Sequence, residues 1–184
     1  ERAATNVAAV APEVRDGWDV VAVEPSDAVM VQSDYLDLLA GDTVERVAAN
    51  TYGVCEYLDR HRLDERIAFE APDETLTYHG HCHQTAVKRD HHAVGVLRRA
   101  GYAVDALDSG CCGMAGSFGY EAEHYSMSQA IGSILADQVA KSPGERVVAP
   151  GASCRSQLGD GLVEGETPPH PVEALAGAVP GPQT

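Results

Sequence analysis

Basic residues are scarce in this sequence. Thirteen lysines and arginines face 28 aspartates and glutamates, for a formal net charge of −15 over 184 residues. That deficit argues against a nucleic-acid partner, which needs a basic stripe to neutralise phosphates, and against anionic lipid. Such acidity fits a halophilic, high-salt cytoplasm in which self-repulsion is screened; it fits a basic partner equally well. Aromatics are only 5% of the chain, so Ala, Val and Gly must fill much of the core. No run of about 18 apolar residues is present, which excludes a membrane-spanning helix, and no signal peptide is visible. Gly-x-Ser-x-Gly, P-loop and Rossmann glycine fingerprints are all missing, as is a Cys-x-x-Cys-x-x-Cys motif. The five cysteines are an odd number and two are adjacent, a poor basis for a disulfide framework and a better one for metal ligation in a reducing cytoplasm. Glu1 stands where a translated chain carries Met, so the sequence is read as a piece of a longer protein.

What is present is an alternation. The first fifteen residues read as the end of a helix. Val20 to Val23 forms a short apolar run, expected as a buried strand, with Ser26 or Asp27 capping the next helix, whose apolar face holds Val31, Tyr35, Leu38 and Leu39. Val44, Val47, Ala48, Thr51, Val54, Cys55 and Leu58 recur at helical spacing, predicting one continuous helix capped by Asp42 or Thr43, with Cys55 as a small core residue. Residues 59–74 are a charged connector. Strands are expected at Thr75–Tyr78, Tyr102–Leu107 and Arg146–Ala149. Helices are expected from about Gln84 to Ala100, with Val87, Val94 and Leu97 inward and His91 and His92 on the surface, and from about Tyr120 to Ala140, with Met127, Ile131, Ile134, Leu135 and Val139 on one side. His170-Pro171 opens a short last helix. This predicts an α/β fold, a parallel sheet with flanking helices. A weak likeness between Val20–Asp27 and Val147–Cys154 further predicts a pseudo-repeat of two modules, the first incomplete: residues 1–65 as its end, 66–178 as the second, cysteine-bearing module, and 179–184 as a disordered tail.

Cys82, Cys111, Cys112 and Cys154 all fall in turns that follow predicted strands, the edge of an open α/β sheet where ligands bind. Twenty-eight residues separate Cys82 from Cys111, and 41 separate Cys112 from Cys154. Thiolates are soft ligands, suited to iron–sulfur clusters, zinc and copper(I), and four of them can hold one cluster. Adjacent cysteines point in different directions along an extended backbone, which suits a multi-iron cluster better than a single tetrahedral ion. Gly110 and Gly113 would give the backbone unusual dihedrals and let amides approach a negatively charged group. His79, His81 and His83 alternate around Cys82, so they cannot all face one metal; His81 or His83 is the candidate ligand, hydrogen-bond donor or proton carrier. Arg155, beside Cys154, is a candidate to stabilise cluster charge or to grip a carboxylate, or else forms a surface salt bridge.

His81-Cys82-His83, then Gly110-Cys111-Cys112-Gly113-Met114-Ala115-Gly116-Ser117-Phe118-Gly119-Tyr120, then Ala149-Pro150-Gly151-Ala152-Ser153-Cys154-Arg155, then His170-Pro171-Val172-Glu173 resemble the cysteine-rich CCG domain. More narrowly, they resemble the C-terminal iron–sulfur part of FAD-linked D-2-hydroxyacid dehydrogenases of the D-lactate, glycolate and D-2-hydroxyglutarate type, with further likeness to one subunit each of heterodisulfide reductase and anaerobic glycerol-3-phosphate dehydrogenase. The likeness covers roughly residues 18 to 176. It implies an electron-transfer domain carrying an iron–sulfur cluster, 4Fe-4S foremost. Such a domain takes electrons from a flavin domain or subunit and delivers them to a quinone or another acceptor. FAD would sit on the parent protein, not on this chain. The implied location is the cytoplasm, peripheral to the inner face of the membrane through the parent complex. Two departures matter. Cys154-Arg155-Ser156-Gln157 lacks the second cysteine of the family's Cys-x-x-Cys ending, and Asp27 stands where a first-module cysteine would be. The expectation is therefore one site with four cysteines, holding a cubane cluster or, as the alternative, a structural zinc on three Cys and one His in a redox-silent docking domain. A thiol catalyst built on Cys111 and Cys112 is the remaining reading.

Overall fold

The computed structural model describes residues 1–162, 165 and 167–181. Of the tail expected at 179–184, residues 182–184 lie outside the described residues. The order of elements begins with helix α1 (Arg2–Arg15), strand β1 (Val20–Ala22), α2 (Pro25–Val29), a π-turn over Met30–Asp34 and α3 (Tyr35–Leu38). Next come α4 (Asp42–Ala49), β2 (Thr51–Gly53), α5 (Val54–Arg60), β3 (Thr75–Tyr78), α6 (Cys82–Ala86), α7 (His91–Arg99) and β4 (Ala103–Ala106). The chain continues through α8 (Tyr125–Val139), β5 (Arg146–Val148), α9 (Ala152–Gln157) and α10 (Pro171–Gly177).

The fold is mixed α/β with parallel sheets flanked by helices, as expected. Among the described residues the strands form two sheets: β1 with β2, and a three-stranded sheet in the order β4-β3-β5. β3 lies between its neighbours, with Tyr78 level with Ala106 on one side and Val148 on the other. Its sequence, Thr-Leu-Thr-Tyr, alternates, yet Leu76, Thr77 and Tyr78 are all buried because both faces of this central strand are covered. The hydroxyl of fully buried Thr77 is satisfied 2.7 Å from Ser142 Oγ. Because all three strands run the same way, the loops after β3, β4 and β5 leave at one edge.

Three apolar clusters hold the elements together. Leu76, Tyr78, Val96, Leu97 and Val148 pack with Leu175 of α10 on one face of the three-stranded sheet. Val7, Val14, Tyr35, Val44 and Val47 join α1 to the helices after β1. Cys112, Met114, Leu135, Ala149, Cys154 and Leu158 form the third, under the glycine-rich loop. Cys55 lies in the first cluster, and burial pushes its thiol up to about 12, as a core residue should behave.

Several expectations are corrected. The stretch from Val44 to Leu58 is not one helix: Thr51-Tyr52-Gly53 is an extended strand pairing β1, and the helical periodicity across it is a coincidence of spacing. β1 itself is not buried; Val21 and Val23 stand largely exposed. The cap of α2 is Glu24, with Pro25 in the first helical position, and Ser26 and Asp27 are inside the helix. The α4 cap is Gly41 at φ +114°. The helix expected over 84–100 breaks at Lys88, whose φ of +58° ends α6. His92 is buried, its Nδ1 2.6 Å from Asp59 Oδ2. On α8 the buried residues are Ser128, Gly132 and Leu135, whereas Met127 and Ile134 face outward. Small residues win there because the loop carrying Cys112 presses on the helix: a Cβ at Gly132 would stand 3.2 Å from the Cys112 carbonyl oxygen.

Candidate metal centre

Each thiol is placed by a strand end. Cys82 opens α6, four residues beyond β3; Cys111 and Cys112 lie in the loop after β4; Cys154 sits in the first turn of α9, just beyond β5. The backbone of Gly113 takes φ +99°, and a Cβ there would meet Ser128 O at 2.4 Å, so only glycine lets the loop turn against α8 and drive Cys112 inward. Gly110 has no such need, since a Cβ at that position would meet open space. Cys112 and Cys154 are buried, while Cys82 and Cys111 are half-buried and form the outer side.

The four thiols come together. Cys112 neighbours Cys154, and Cys82 neighbours Cys111, closely enough that each pair shifts together. In the buried pair the approach of Cys154 holds Cys112 well below the usual thiol range; His79 and the backbone of Met114 add to this. Cys154 is pushed up, first by its pairing with Cys112 and then by burial. Burial, and next the charge of Cys111, raise the Cys82 thiol. Backbone amides reach the sulfurs as well: Gly113 N–H donates to Cys111 Sγ at 3.3 Å, and the His83 amide favours the Cys82 thiolate. Among the described residues no three His, Cys, Asp or Glu side chains already stand as a closed ligand set. The donors nonetheless fit a thiolate-bound group. Four soft sulfurs lie at neighbouring strand ends, and the Gly113 amide donates to one of them, Cys111, a contact that favours negative charge on a bound group.

The histidines separate. His83 is exposed, its ring edge-on to His81 at 5.2 Å between centroids. His81 is buried and caps α6, Nδ1 accepting from the His83 N–H at 3.3 Å; burial pushes its pKa down. His79, not singled out by its motif, is the one against Cys112: its Nδ1 lies 2.7 Å from Ser109 Oγ, and its Nε2 is buried with no hydrogen-bond partner. Arg155 turns away from the thiols toward α10, with Nη1 3.6 Å from Glu173 Oε2. His170 caps α10, its backbone N–H donating to the same carboxylate oxygen at 2.6 Å. Sequence reasoning also missed Glu24. Its Oε2 accepts from the Ala152 N–H at 2.9 Å and its Oε1 lies 3.8 Å from His81 Nε2, tying the β1 unit to the helix that carries Cys154. Only the three-dimensional approach of residues 128 positions apart reveals that contact.

Residues 76–159 match the family model described as the cysteine-rich domain, CCG. The chain is 31% identical over 162 residues to D-2-hydroxyglutarate dehydrogenase of Escherichia coli (strain K12), and 30% identical over the same length to that of Pantoea ananatis (strain AJ13355). Each alignment covers 86% of this chain and 15% of the relative. One subunit of the anaerobic glycerol-3-phosphate dehydrogenase of Escherichia coli (strain K12) is 36% identical over 84 residues, 45% of this chain and 21% of that protein. The chain thus spans less than a quarter of the length of the curated relatives it matches. The matched segment, just under half of the chain, contains β3, β4, β5 and the four cysteines of the site, so it is this segment that matches the CCG cysteine-rich domain.

Proposed function

We propose that this chain is the electron-transfer domain of a flavin-linked D-2-hydroxyacid dehydrogenase and holds an iron–sulfur cluster on Cys82, Cys111, Cys112 and Cys154. The observation that carries the reading is the convergence of four thiols from three strand ends, with backbone amides directed at their sulfurs. A cluster at this site would supply one-electron chemistry, a 4Fe-4S centre being the assignment for four thiolates. The chain's own residues would hold it, keep water from its inner side through buried Cys112, Cys154, Met114 and Leu158, and leave the Cys82 and Cys111 side toward the surface as the way in for electrons. The partner at that side would be the FAD-bearing part of the parent dehydrogenase, with a quinone or another acceptor downstream and the complex peripheral to the inner face of the membrane. Among the described residues, no helix is long and apolar enough to cross a membrane. The kinship to two dehydrogenases named for D-2-hydroxyglutarate supports a D-2-hydroxyacid as the parent substrate.

A second reading rests on the unpartnered Nε2 of His79 beside Cys112: three thiolates and one imidazole would make a structural zinc site. Metal and sulfide analysis of anaerobically prepared protein, with absorption and EPR spectra, separates the two. About four iron and four sulfide per chain and a reducible signal are expected. One zinc and a silent spectrum would overturn the electron-transfer reading.

A further inference from the structure

His79 is the first residue beyond β3. Its backbone N–H still belongs to the sheet, donating to Val148 O at 3.0 Å, and the residue is 1% exposed. The ring is therefore fixed at the root of the loop that carries Cys82. One nitrogen, Nδ1, is satisfied 2.7 Å from Ser109 Oγ; the other, Nε2, has no partner. Leaving a buried polar atom unpaired is costly, and native structures rarely accept this unless another group completes the pair. Ser109 makes no other side-chain hydrogen bond among the described residues, so its hydroxyl hydrogen is free to point at Nδ1. A neutral imidazole that accepts at Nδ1 carries its hydrogen on Nε2.

We propose that Ser109 donates to His79 Nδ1 and thereby holds the ring in the Nε2–H tautomer, with that N–H directed at the sulfur of Cys112 as the outer-shell donor that tunes the centre. This rests on the reading of the four thiols as one metal centre. His79 is here a positioning residue, not a ligand, and no proton moves. A hydrogen bond to a ligating sulfur draws charge from it and favours the more negative, reduced state of the group it holds. The redox potential is therefore higher with the donor than without it.

The tautomer is read first, in the metal-free, reduced full chain labelled with ¹⁵N-histidine. The hydrogen of the His79 ring is expected on Nε2 rather than Nδ1, and Ser109→Ala is expected to release the ring to a mixture of tautomers. Hydrogen on Nδ1, or no response to Ser109→Ala, overturns the proposal. In metal-loaded protein, His79→Leu is expected to lower the midpoint potential with iron retained, and His79→Gln, which keeps an N–H donor, to restore part of the shift. Loss of iron from both variants would make His79 a ligand and overturn the proposal. Ser109→Ala, expected to shift the potential the same way by a smaller amount, serves if His79→Leu does not fold. A chain that takes up no iron sinks the electron-transfer reading, while the tautomer measurement still decides this one.

Discussion

Cysteine chemistry in this protein depends on neighbours. Cys55 is surrounded by apolar side chains and held protonated, up to about 12; Cys112 stands beside Cys154 and His79 and is held well below the usual thiol range. Cys55→Ser buries a hydroxyl in an apolar cluster. It should cost about 1–3 kcal/mol in denaturant titrations while metal content stays the same. Cys154→Ser should leave the fold in place and abolish metal retention, as metal analysis after desalting will show. Asp59 gives a pH signature. Burial pushes its carboxyl up, but hydrogen bonds from His92 and Arg99 outweigh that and hold it below the usual range. The contribution is thus fully present above the unfolded carboxylate value and lost as pH falls through the lowered folded one. Asp59→Asn should be less stable than the parent at pH 7 by on the order of 1 kcal/mol, and the gap should close on acidification below the usual carboxylate range; a constant gap would show that the ion pair does not contribute. The four thiols were legible in sequence because Cys-Cys-Gly is a rare grouping and the strand ends around it are well marked. His79 was not, because three histidines at alternate positions look alike until burial distinguishes them.

Helices and strands reveal where periodicity misleads. Thr51, Val54, Cys55 and Leu58 carry a helical spacing, yet Thr51-Tyr52-Gly53 pairs with β1. β-branched and aromatic side chains favour the extended form, and tertiary pairing outweighs pattern. The one-helix reading of 84–100 failed for a related reason: nothing in the sequence announces that Lys88 adopts φ +58°. A non-glycine residue in that region costs roughly 1 kcal/mol, so Lys88→Gly should raise the thermal midpoint with the metal site unaffected. Gly113→Ala points the other way. Its Cβ would meet backbone at 2.4 Å, and the loop must move, which should cost at least about 1–3 kcal/mol and reduce metal retention together with stability. Paired calorimetry and metal analysis will check both variants.

At the scale of the whole molecule, the β1 unit and the three-stranded sheet meet over a charged seam. Buried Glu56 gathers Gln32 Nε2 at 2.9 Å, Arg60 Nε at 2.8 Å and the Arg89 guanidinium, and Glu24 reaches the amide of Ala152. Removing a partner from a buried pair is costly, about 3–5 kcal/mol when the remaining charge is left bare. Arg60 and Gln32 stay, so Arg89→Met should cost less than that in equilibrium unfolding. A net charge of −15 adds a repulsion that salt screens, so the thermal midpoint should rise between low salt and about 1 M, where the screening length is about 3 Å. A flat salt response would show that the acidic surface is electrostatically relaxed. The parallel arrangement was legible from the strand–helix alternation; the division into two sheets was not, because β2 lay hidden inside a helical pattern.

The placement of the thiols on three separate crossovers has one more consequence. No short peptide from this chain can carry the site, since its first and last sulfur donors bracket α7, β4, α8 and β5. A nick in the turn between α8 and β5 would leave Cys82, Cys111 and Cys112 on one piece and Cys154 on the other. Metal retention by the mixed pieces would then report their reassembly, and with the proposed iron–sulfur cluster bound the protein would work as a split sensor whose signal is its own colour.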